Sequence, residues 1–571
     1  MLSCIMNVPR SHYHKILLFP LLAALLNWLA QPNELFLQGN WLFGLISYIP
    51  LYFLVTTAGL TRNQLRLSAL IYALSFTLSS YFWLTNFGEY SLWTIGGVTV
   101  VYIVYHLGFF RLLYFLLAPG NHTPKSHPFR PLLFALAWTA FEFFKSRGYL
   151  AFPWNLAAFP FHNFIFINQI SELTGIWALS FTVLFFQAGL AQILLRGRGG
   201  FEVQPANARF TGLGRFPSGL RSVAAALLIT LCFSAYGVIR HGQISRMEQN
   251  AERTELVLLI QQNVDSWAES DPSTGMSIAM ELTREGIAEA LDQYGRQPDI
   301  ISWSETSLSY PYTPESSFYR NFPRDLSFRD FLPELEGSLI TGAPLLRSRD
   351  PFIAMNGVIQ ISPEGEILQD YGKIHLIPFA EHVPLTDFPF ISTFLEDVIG
   401  IPASGWTPGE SVTLFDFPRQ DLHIGTPVCF EDSFAYNSRF FVKAGADALL
   451  NLTNNAWSQT YSAQMQHLVS ARYRAIENRR PLLRATNGGV TSIILPSGEI
   501  AAEIPMFRAD YLLAEIPVAR SMPETVYTRF GDWLAWVVTA GLLGALVLGY
   551  RRLFSGGAAP EVISPLILDR E

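Results

Sequence analysis

Cysteine is nearly absent from this chain: among 571 residues there are only Cys4, Cys232 and Cys429. No two of them stand at a spacing that suggests a disulfide framework or a zinc site. Charge is scarce as well. Asp, Glu, Lys and Arg make up 15% of the residues, and the net charge of −7 comes without any basic stripe interleaved with aromatics, which argues against nucleic-acid binding. No repeat with a period of about 20–50 residues and no low-complexity tract is visible. His375 and His467 have no second ligand at metal spacing, so they read as structural rather than as metal ligands. What the chain has in excess is apolar surface. Half of its residues are hydrophobic and its mean hydropathy is +0.25, too apolar for an ordinary soluble enzyme.

The apolar residues are concentrated at 14–240, whereas 254–520 has the patterning of a soluble domain. A membrane-crossing helix needs about 20 mostly apolar residues. The candidate spans are 15–31, 41–60, 65–84, 91–110, 130–144, 173–195 and 222–239, with one more at 533–550. The first run reads as a helix rather than a leader, because further spans follow directly and no small-x-small cleavage site is present. Residues 149–167, broken by Pro153 and Pro160, read as a re-entrant or interfacial loop. Positive charge alternates along these segments. Arg10 and Lys15 precede the first span, and Arg62 and Arg66 follow the second. Arg111, Lys125 and Arg130 follow the fourth span. Arg196, Arg198, Arg209, Arg215 and Arg221 follow the sixth, and Arg551 and Arg552 follow the last. The loops 32–40 and 85–90 carry no Lys or Arg, and 145–172 carries Lys145 and Arg147. The alternation places the N-terminus in the cytoplasm and the soluble part across the membrane from it. The expected organisation is a membrane domain at 1–240 of about seven helices, a catalytic domain at 241–530, a final span at 531–552 and a cytoplasmic tail at 553–571.

Within the soluble part, short apolar strands alternate with amphipathic stretches. Strands are expected at Leu256–Gln261, Ile300–Trp303, Ser338–Thr341, Gly357–Ser362, Leu422–Val428, Ala448–Leu452, Leu482–Ala485, Thr491–Leu495 and Tyr511–Ile516. Turn chemistry at 362–366 and 496–499 joins strand-like segments, and helices are expected at 277–294 and 462–478. The fold class that follows is a polytopic helical membrane domain joined to a layered α/β domain.

Cys429 ends an apolar strand in Ile-Gly-Thr-Pro-Val-Cys-Phe-Glu-Asp, with acidic residues directly after it. Glu305 in Ser-Trp-Ser-Glu-Thr and Lys373 in Asp-Tyr-Gly-Lys-Ile-His stand in similar settings. A thiol attacks a carbonyl as the thiolate and needs a neighbouring base or positive charge. Glu305 is suited to take the proton, and Lys373 to stabilise the thiolate and the oxyanion. The Phe430 N–H, next along the chain, is a natural second oxyanion donor. Each residue has a plainer reading. Cys429 reads as a small buried hydrophobe, Glu305 as a surface strand end and Lys373 as a solvated loop lysine. Glu381 and Glu431 read as ion-pair partners, Trp267 and Trp457 as core aromatics, and His375 and His467 as structural hydrogen-bonders. The joint pattern carries the functional reading, and thioester chemistry of this kind serves hydrolysis of a small C–N substrate as well as acyl transfer.

Trp-Ser-Glu-Thr, Tyr-Gly-Lys-Ile-His-Leu-Ile-Pro-Phe-Ala-Glu-His-Val-Pro-Leu and Val-Cys-Phe-Glu resemble the three catalytic blocks of the nitrilase superfamily. The segments 471–491 and 525–533, with the membrane layout, make residues 10–552 similar to the bacterial apolipoprotein N-acyltransferase family. That resemblance implies an αββα sandwich on the periplasmic side of the inner membrane. It implies Glu305 as general base, Lys373 as stabiliser of the tetrahedral intermediate, Cys429 as carrier of an acyl thioester and Glu381 as a support beside them. Phe430 and Glu431 are expected to support the nucleophile, and Trp267, Trp457 and His467 to contact substrate. The implied reaction moves an acyl chain from a phospholipid to the cysteine, and then to the α-amino group of a diacylglyceryl-cysteine apolipoprotein. No cofactor is implied, and a monomer is expected. Phe430 stands where relatives often carry tyrosine, and 454–459 reads Asn-Asn-Ala-Trp-Ser-Gln. The apolar loop 386–403 is expected either to dip into the membrane interface or to pack as a lid.

Overall fold

Leucines that a water-soluble fold would bury stand on the outside of the N-terminal helices. In the computed structural model, which describes residues 10–118, 128–197, 217–265, 269–383, 388–394, 405–518 and 522–555, Leu17, Leu18, Leu21 and Leu25 are exposed, as are Leu227, Leu228 and Leu231. Hydrocarbon accepts such a surface without cost, and helices satisfy their own backbone there. The helices are α1 (Arg10–Ala30), α2 (Ile49–Val55), α3 (Arg62–Ser80), α4 (Ser91–Leu117), α5 (Arg130–Lys145), α6 (Trp177–Gly197) and α7 (Ser218–Gln249). Ser91–Leu117, Trp177–Leu195 and Ser218–Gln249 are long and apolar enough to cross a membrane, and His14–Ala30, Trp41–Val55 and Trp533–Leu548 are shorter apolar segments.

Three expectations change. The 41–60 run is not one helix: turns at 45–48 separate Trp41–Gly44 from α2. The 65–84 run ends at Ser80, and a 3₁₀ turn, Phe82–Asn86, follows. The helix expected at 222–239 runs to Gln249, so the boundary expected at residue 240 falls inside a continuous helix. Hydropathy cannot see that extension, because tertiary bonds hold it. Arg240 Nε donates to Glu172 Oε1 at 2.6 Å, and Arg479 Nε from the soluble part donates to Glu172 Oε2 at 2.8 Å.

From the end of α7 the chain enters two six-stranded sheets. One has the order β12-β1-β2-β3-β4-β5 and the other β11-β10-β9-β8-β7-β6. The first comprises β1 (Arg253–Gln261), β2 (Ile300–Ser302), β3 (Leu339–Arg349), β4 (Phe352–Ile361), β5 (Ile367–Gly372) and β12 (Asp510–Val518). The second comprises β6 (Leu414–Phe417), β7 (Leu422–Gly425), β8 (Ala448–Asn454), β9 (Leu482–Asn487), β10 (Ser492–Ile494) and β11 (Ile500–Glu503). The β1–β2, β2–β3, β7–β8 and β8–β9 pairs are parallel and the others antiparallel. The sheets meet face to face, where Gln261 of β1 accepts from Thr486 and Thr491 at 3.1 and 2.8 Å. Helix α8 (Thr274–Tyr294) packs on the first sheet, and α9 (Ala435–Ala444) and α10 (Tyr461–Asn478) on the second, giving an αββα sandwich. The short strands β5, β6 and β11 were not among those expected, since four to six half-exposed residues leave little periodicity to read. Helix α11 (Trp533–Ser555) closes the described chain.

One buried apolar cluster runs from Ile16 and Tyr52 through Trp154 and Phe430 to Leu450 and Leu542. The helical domain and the second sheet therefore share a core. That shared core holds the ends of β2, β5 and β7 against the helices.

Candidate active site

Strand β7 stops short of the cysteine. The strand expected to reach Val428 ends at Gly425, and Cys429 sits in a 3₁₀ turn with φ of 52°. A left-handed non-glycine residue costs about 1–3 kcal/mol and persists only where its surroundings over-determine it. Here they do. Glu431 folds back, so that its Oε2 accepts from Val428 N at 2.7 Å and its Oε1 from Ile374 N at 2.7 Å and His375 N at 3.0 Å. The Tyr371 hydroxyl donates to the same carboxylate at 3.0 Å. Asn451 Nδ2 donates to the carbonyl oxygens of Pro427 and Cys429 at 3.1 and 2.8 Å. Burial lifts the Glu431 carboxyl to about 7, against the pull of the backbone donors and of Lys373.

Glu305 follows β2, where the chain crosses close over β3. A Cβ on Gly342 would lie 2.5 Å from Thr306 N and 2.6 Å from the Glu305 Cα, so only glycine permits that approach. Lys373 follows β5 and is fully buried. Its Nζ lies 2.8 Å from Glu381 Oε1 and 3.6 Å from Glu305 Oε1. Asn356 of β4 joins the two carboxylates, its Nδ2 donating at 2.8 Å to Glu305 Oε1 and at 2.8 Å to Glu381 Oε1. Asn454 N donates to Glu305 Oε2 at 2.7 Å, and Ile377 N to Glu381 Oε2 at 2.8 Å.

Cys429 lies beside this group, within electrostatic reach of Glu305, Lys373 and Glu381. Burial and the Glu305 charge push the thiol well above its ordinary range, with Lys373 pulling the other way. Burial by itself would lower the Lys373 ammonium, but Glu381, Cys429 and Glu305 outweigh it and hold the pKa above the usual lysine value. Burial and the Lys373 charge lower His375 to about 4, so its ring is neutral. At rest the site thus holds a neutral thiol against a base and a fixed cation. Such a set favours proton transfer during attack over a standing thiolate.

The remaining expected residues fall around this centre. The Phe430 ring stacks on Trp154 at 5.8 Å and meets Phe434 at 4.8 Å. Trp457 is half-buried, donates to Asn454 O at 2.9 Å and packs on Phe87 at 4.2 Å. Trp267 lies outside the described residues. His467, expected to contact substrate, has protein partners at both ring nitrogens. It is buried, with Nε2 at 2.7 Å from Asp432 and Nδ1 at 3.1 Å from Asn455, so both ring nitrogens are engaged in supporting the nucleophile turn. Asp432 in turn pairs with Arg484. Burial alone would raise its carboxyl, but Arg484 and His467 keep it below the ordinary value.

Asn356, Tyr371, Asn451 and Asp432 were not singled out from the sequence. Asn356 and Asn451 did leave a signal, each being an amide inside an apolar strand. Beside the loop that carries Ile377 and Glu381 is a small apolar pocket of about 30 Å³, lined by Leu84, Val98, Tyr102, Phe152, Ile377 and Phe379 among others. A larger, polar cleft around His162, Arg472 and Glu499 contains none of the residues just described. Among the described residues there is no cluster of His, Cys, Asp and Glu that could hold a metal ion.

Comparisons with known proteins follow this division of the chain. Residues 17–189 match the family model of the apolipoprotein N-acyltransferase N-terminal domain, and residues 260–523 match that of the carbon-nitrogen hydrolases. Apolipoprotein N-acyltransferase 2 of Treponema denticola is 32% identical over 526 residues, covering 91% of this chain and 95% of the relative. Apolipoprotein N-acyltransferase of Borreliella burgdorferi is 28% identical over 511 residues, covering 89% of this chain and 91% of the relative. A carbon-nitrogen hydrolase from Helicobacter pylori G27 of known crystal structure aligns with a TM-score of 0.34 at 16% identity, over 49% of this chain and 95% of that one. On the extent of the first match, the chain belongs to the apolipoprotein N-acyltransferase family.

Proposed function

We propose that the chain N-acylates apolipoproteins in two half-reactions, with Cys429 as the acyl carrier, Glu305 as general base and Lys373 as oxyanion partner. The observation that carries the reading is the meeting of these three groups, from the ends of three strands, at the seam between the helical domain and the sandwich. In the first half-reaction the Sγ attacks the sn-1 ester carbonyl of a phospholipid while its proton passes to Glu305. The Lys373 ammonium and the Phe430 N–H receive the oxyanion. The C–O bond then breaks, the leaving alkoxide takes the proton from Glu305, and lysophospholipid departs from the thioester. In the second half-reaction the free α-amino group of a diacylglyceryl-cysteine attacks the thioester carbon and gives a proton to Glu305. The C–S bond breaks, the amide leaves and the thiol is restored. Glu381 and Asn356 keep the Lys373 ammonium and the Glu305 carboxylate in line throughout.

The apolar lining of the neighbouring small pocket, drawn from both the helices and the 377–379 loop, matches the chemistry of an acyl chain. Both substrates are lipids, which supports a site held at the face of a bilayer. The alternation of Lys and Arg between apolar segments supports a multi-pass protein of the bacterial inner membrane with the sandwich on the periplasmic side. The test uses purified protein with phospholipid and a diacylated lipopeptide bearing a free N-terminus. Mass spectrometry should find a fatty-acyl adduct on Cys429 and conversion of the peptide to its triacylated form. Cys429→Ala should lose both and Cys232→Ala should keep both. An adduct that survives Cys429→Ala would overturn the assignment.

A further inference from the structure

We propose that Glu142 and Lys145, at the end of α5 in the helical domain, are positioning residues for the nucleophile and act through the 151–157 loop. The inference rests on the reading of Cys429 as acyl carrier. Both side chains are buried, one helical turn apart, and neither touches Glu305, Lys373 or Cys429 in any bond described above. Two charges taken out of water beside apolar helices are costly unless hydrogen bonds compensate them. What these two hold is the backbone of a loop. Lys145 Nζ donates to the Trp154 carbonyl at 2.5 Å, and Glu142 Oε1 accepts from Ala157 N at 2.8 Å. The loop also returns to the helix at Phe152, whose N–H donates to the Lys145 carbonyl at 2.9 Å.

One further side chain holds the loop backbone, Gln31 Nε2 donating to the Leu156 carbonyl at 3.1 Å. The Trp154 indole N–H finds no partner among the described residues, so the carbonyl held by Lys145 is that residue's polar anchor. Its ring is applied directly to the nucleophile turn. It stacks on Phe430 at 5.8 Å and 28°, lies 5.5 Å from His467, and is itself backed by Phe152 at 5.0 Å. Phe430 adjoins Cys429, whose left-handed backbone needs external support to persist. The line of contact therefore runs from the Lys145 ammonium to the Trp154 backbone, from its ring to Phe430, and from there to the sulfur. Phe152 also lines the small apolar pocket, so an acyl chain that reached it would touch the same loop.

The experiment is a single-turnover acylation of Cys429 in detergent-solubilised full-length protein at saturating phosphatidylethanolamine, read by intact-protein mass spectrometry. It yields a rate constant and an amplitude. Lys145→Met and Glu142→Leu, which remove the donor to the Trp154 carbonyl and the acceptor for the Ala157 N–H, should lower the rate constant roughly tenfold to a hundredfold, the loss expected from a misplacement of about 1 Å, and leave the amplitude at the wild-type value. Lys145→Arg, which keeps a donor to the Trp154 carbonyl, should stay within a few fold of wild type. An amplitude that falls while the rate constant holds would show a merely structural role and overturn the proposal, as would a wild-type rate in both variants. Should Lys145→Met fail to fold, Trp154→Leu decides. It leaves the Lys145–carbonyl bond possible but removes the stack on Phe430, and it should slow acylation to a similar degree; a wild-type rate there overturns the proposal. Cys429→Ala run alongside separates the cases: an adduct in that variant sinks the nucleophile, whereas a clean loss there with unaffected positioning variants sinks this inference alone.

Discussion

At the scale of single residues, the informative tension is between Cys429 and Glu305. A nucleophile is commonly activated by a lowered pKa, yet burial and the Glu305 charge push this thiol upward. The two facts agree if the carboxylate receives the proton as the carbon–sulfur bond forms. The signs can be worked out. In the wild type the thiol is protonated at neutral pH, so alkylation by a small neutral reagent should climb with pH and reach no plateau below about 9, above the ordinary thiol value. Glu305→Gln removes the negative neighbour and leaves Lys373, so the thiol pKa falls and the alkylation curve moves to lower pH. Acyl transfer should nevertheless drop by about 10²–10⁴, the usual worth of a general base. The two readouts moving in opposite directions is the expected result. Alkylation and transfer declining together would rule Glu305 out as the base. Glu305, Lys373 and Cys429 were legible in the sequence because each closes a strand in a recognisable block. Asn356, which bonds both Glu305 and Glu381, was not, because its partners come from segments that are distant along the chain.

At the scale of elements, the strand ends do the placing. Strand β7 was expected to run to Val428, and the structure ends it at Gly425: Pro427 has no N–H to give a ladder, and Val428 returns only to an isolated bridge with Leu452 while its own N–H goes to Glu431. A pattern of apolar residues shows where a strand is buried but not which acceptor its amides will find. The crossing of β2 over β3 makes a second point of contact. Gly342→Ala puts a methyl group 2.5–2.6 Å from the backbone of Glu305 and Thr306. Backbone cannot yield as a flexible side chain does, so the variant should lose about 1–3 kcal/mol of stability, the usual cost of overpacking. It should also slow single-turnover acylation by about tenfold or more, since Glu305 moves with the strand end. Thermal unfolding in detergent and the acylation burst check both halves; a variant with unchanged melting and unchanged rate would show that the close approach is not required. Helix α7 teaches the complementary lesson. Its apolar run marked only 222–239, and its last turns are held by Glu172, Arg240 and Arg479, contacts with no local periodicity.

At the scale of the whole molecule, the helices and the sandwich behave as one body, because a single apolar cluster passes through both. The orientation proposed for that body in the bilayer rests on the alternation of Lys and Arg, and it can be tested. In a background of Cys4→Ser and Cys232→Ala, Glu281→Cys on the exposed face of α8 should react with a membrane-impermeant maleimide in intact spheroplasts. Arg62→Cys, at the basic start of α3, should react only after lysis. The reverse pattern would place the sandwich in the cytosol and contradict a periplasmic site. The sequence by itself determined the division into apolar helices and an alternating α/β part and the family, and it picked out the three side chains proposed as reactive, which the structure brings together. These are local properties, since hydropathy, strand alternation and short motifs are read within a few residues of one another. Only the tertiary structure decided that Asn356 links two carboxylates, that His467 is engaged below the nucleophile, and that a lysine at the end of a membrane-domain helix reaches the loop packed on Phe430. Those contacts join segments far apart in the chain, and their geometry depends on how sheets and helices close on each other rather than on any neighbouring residue.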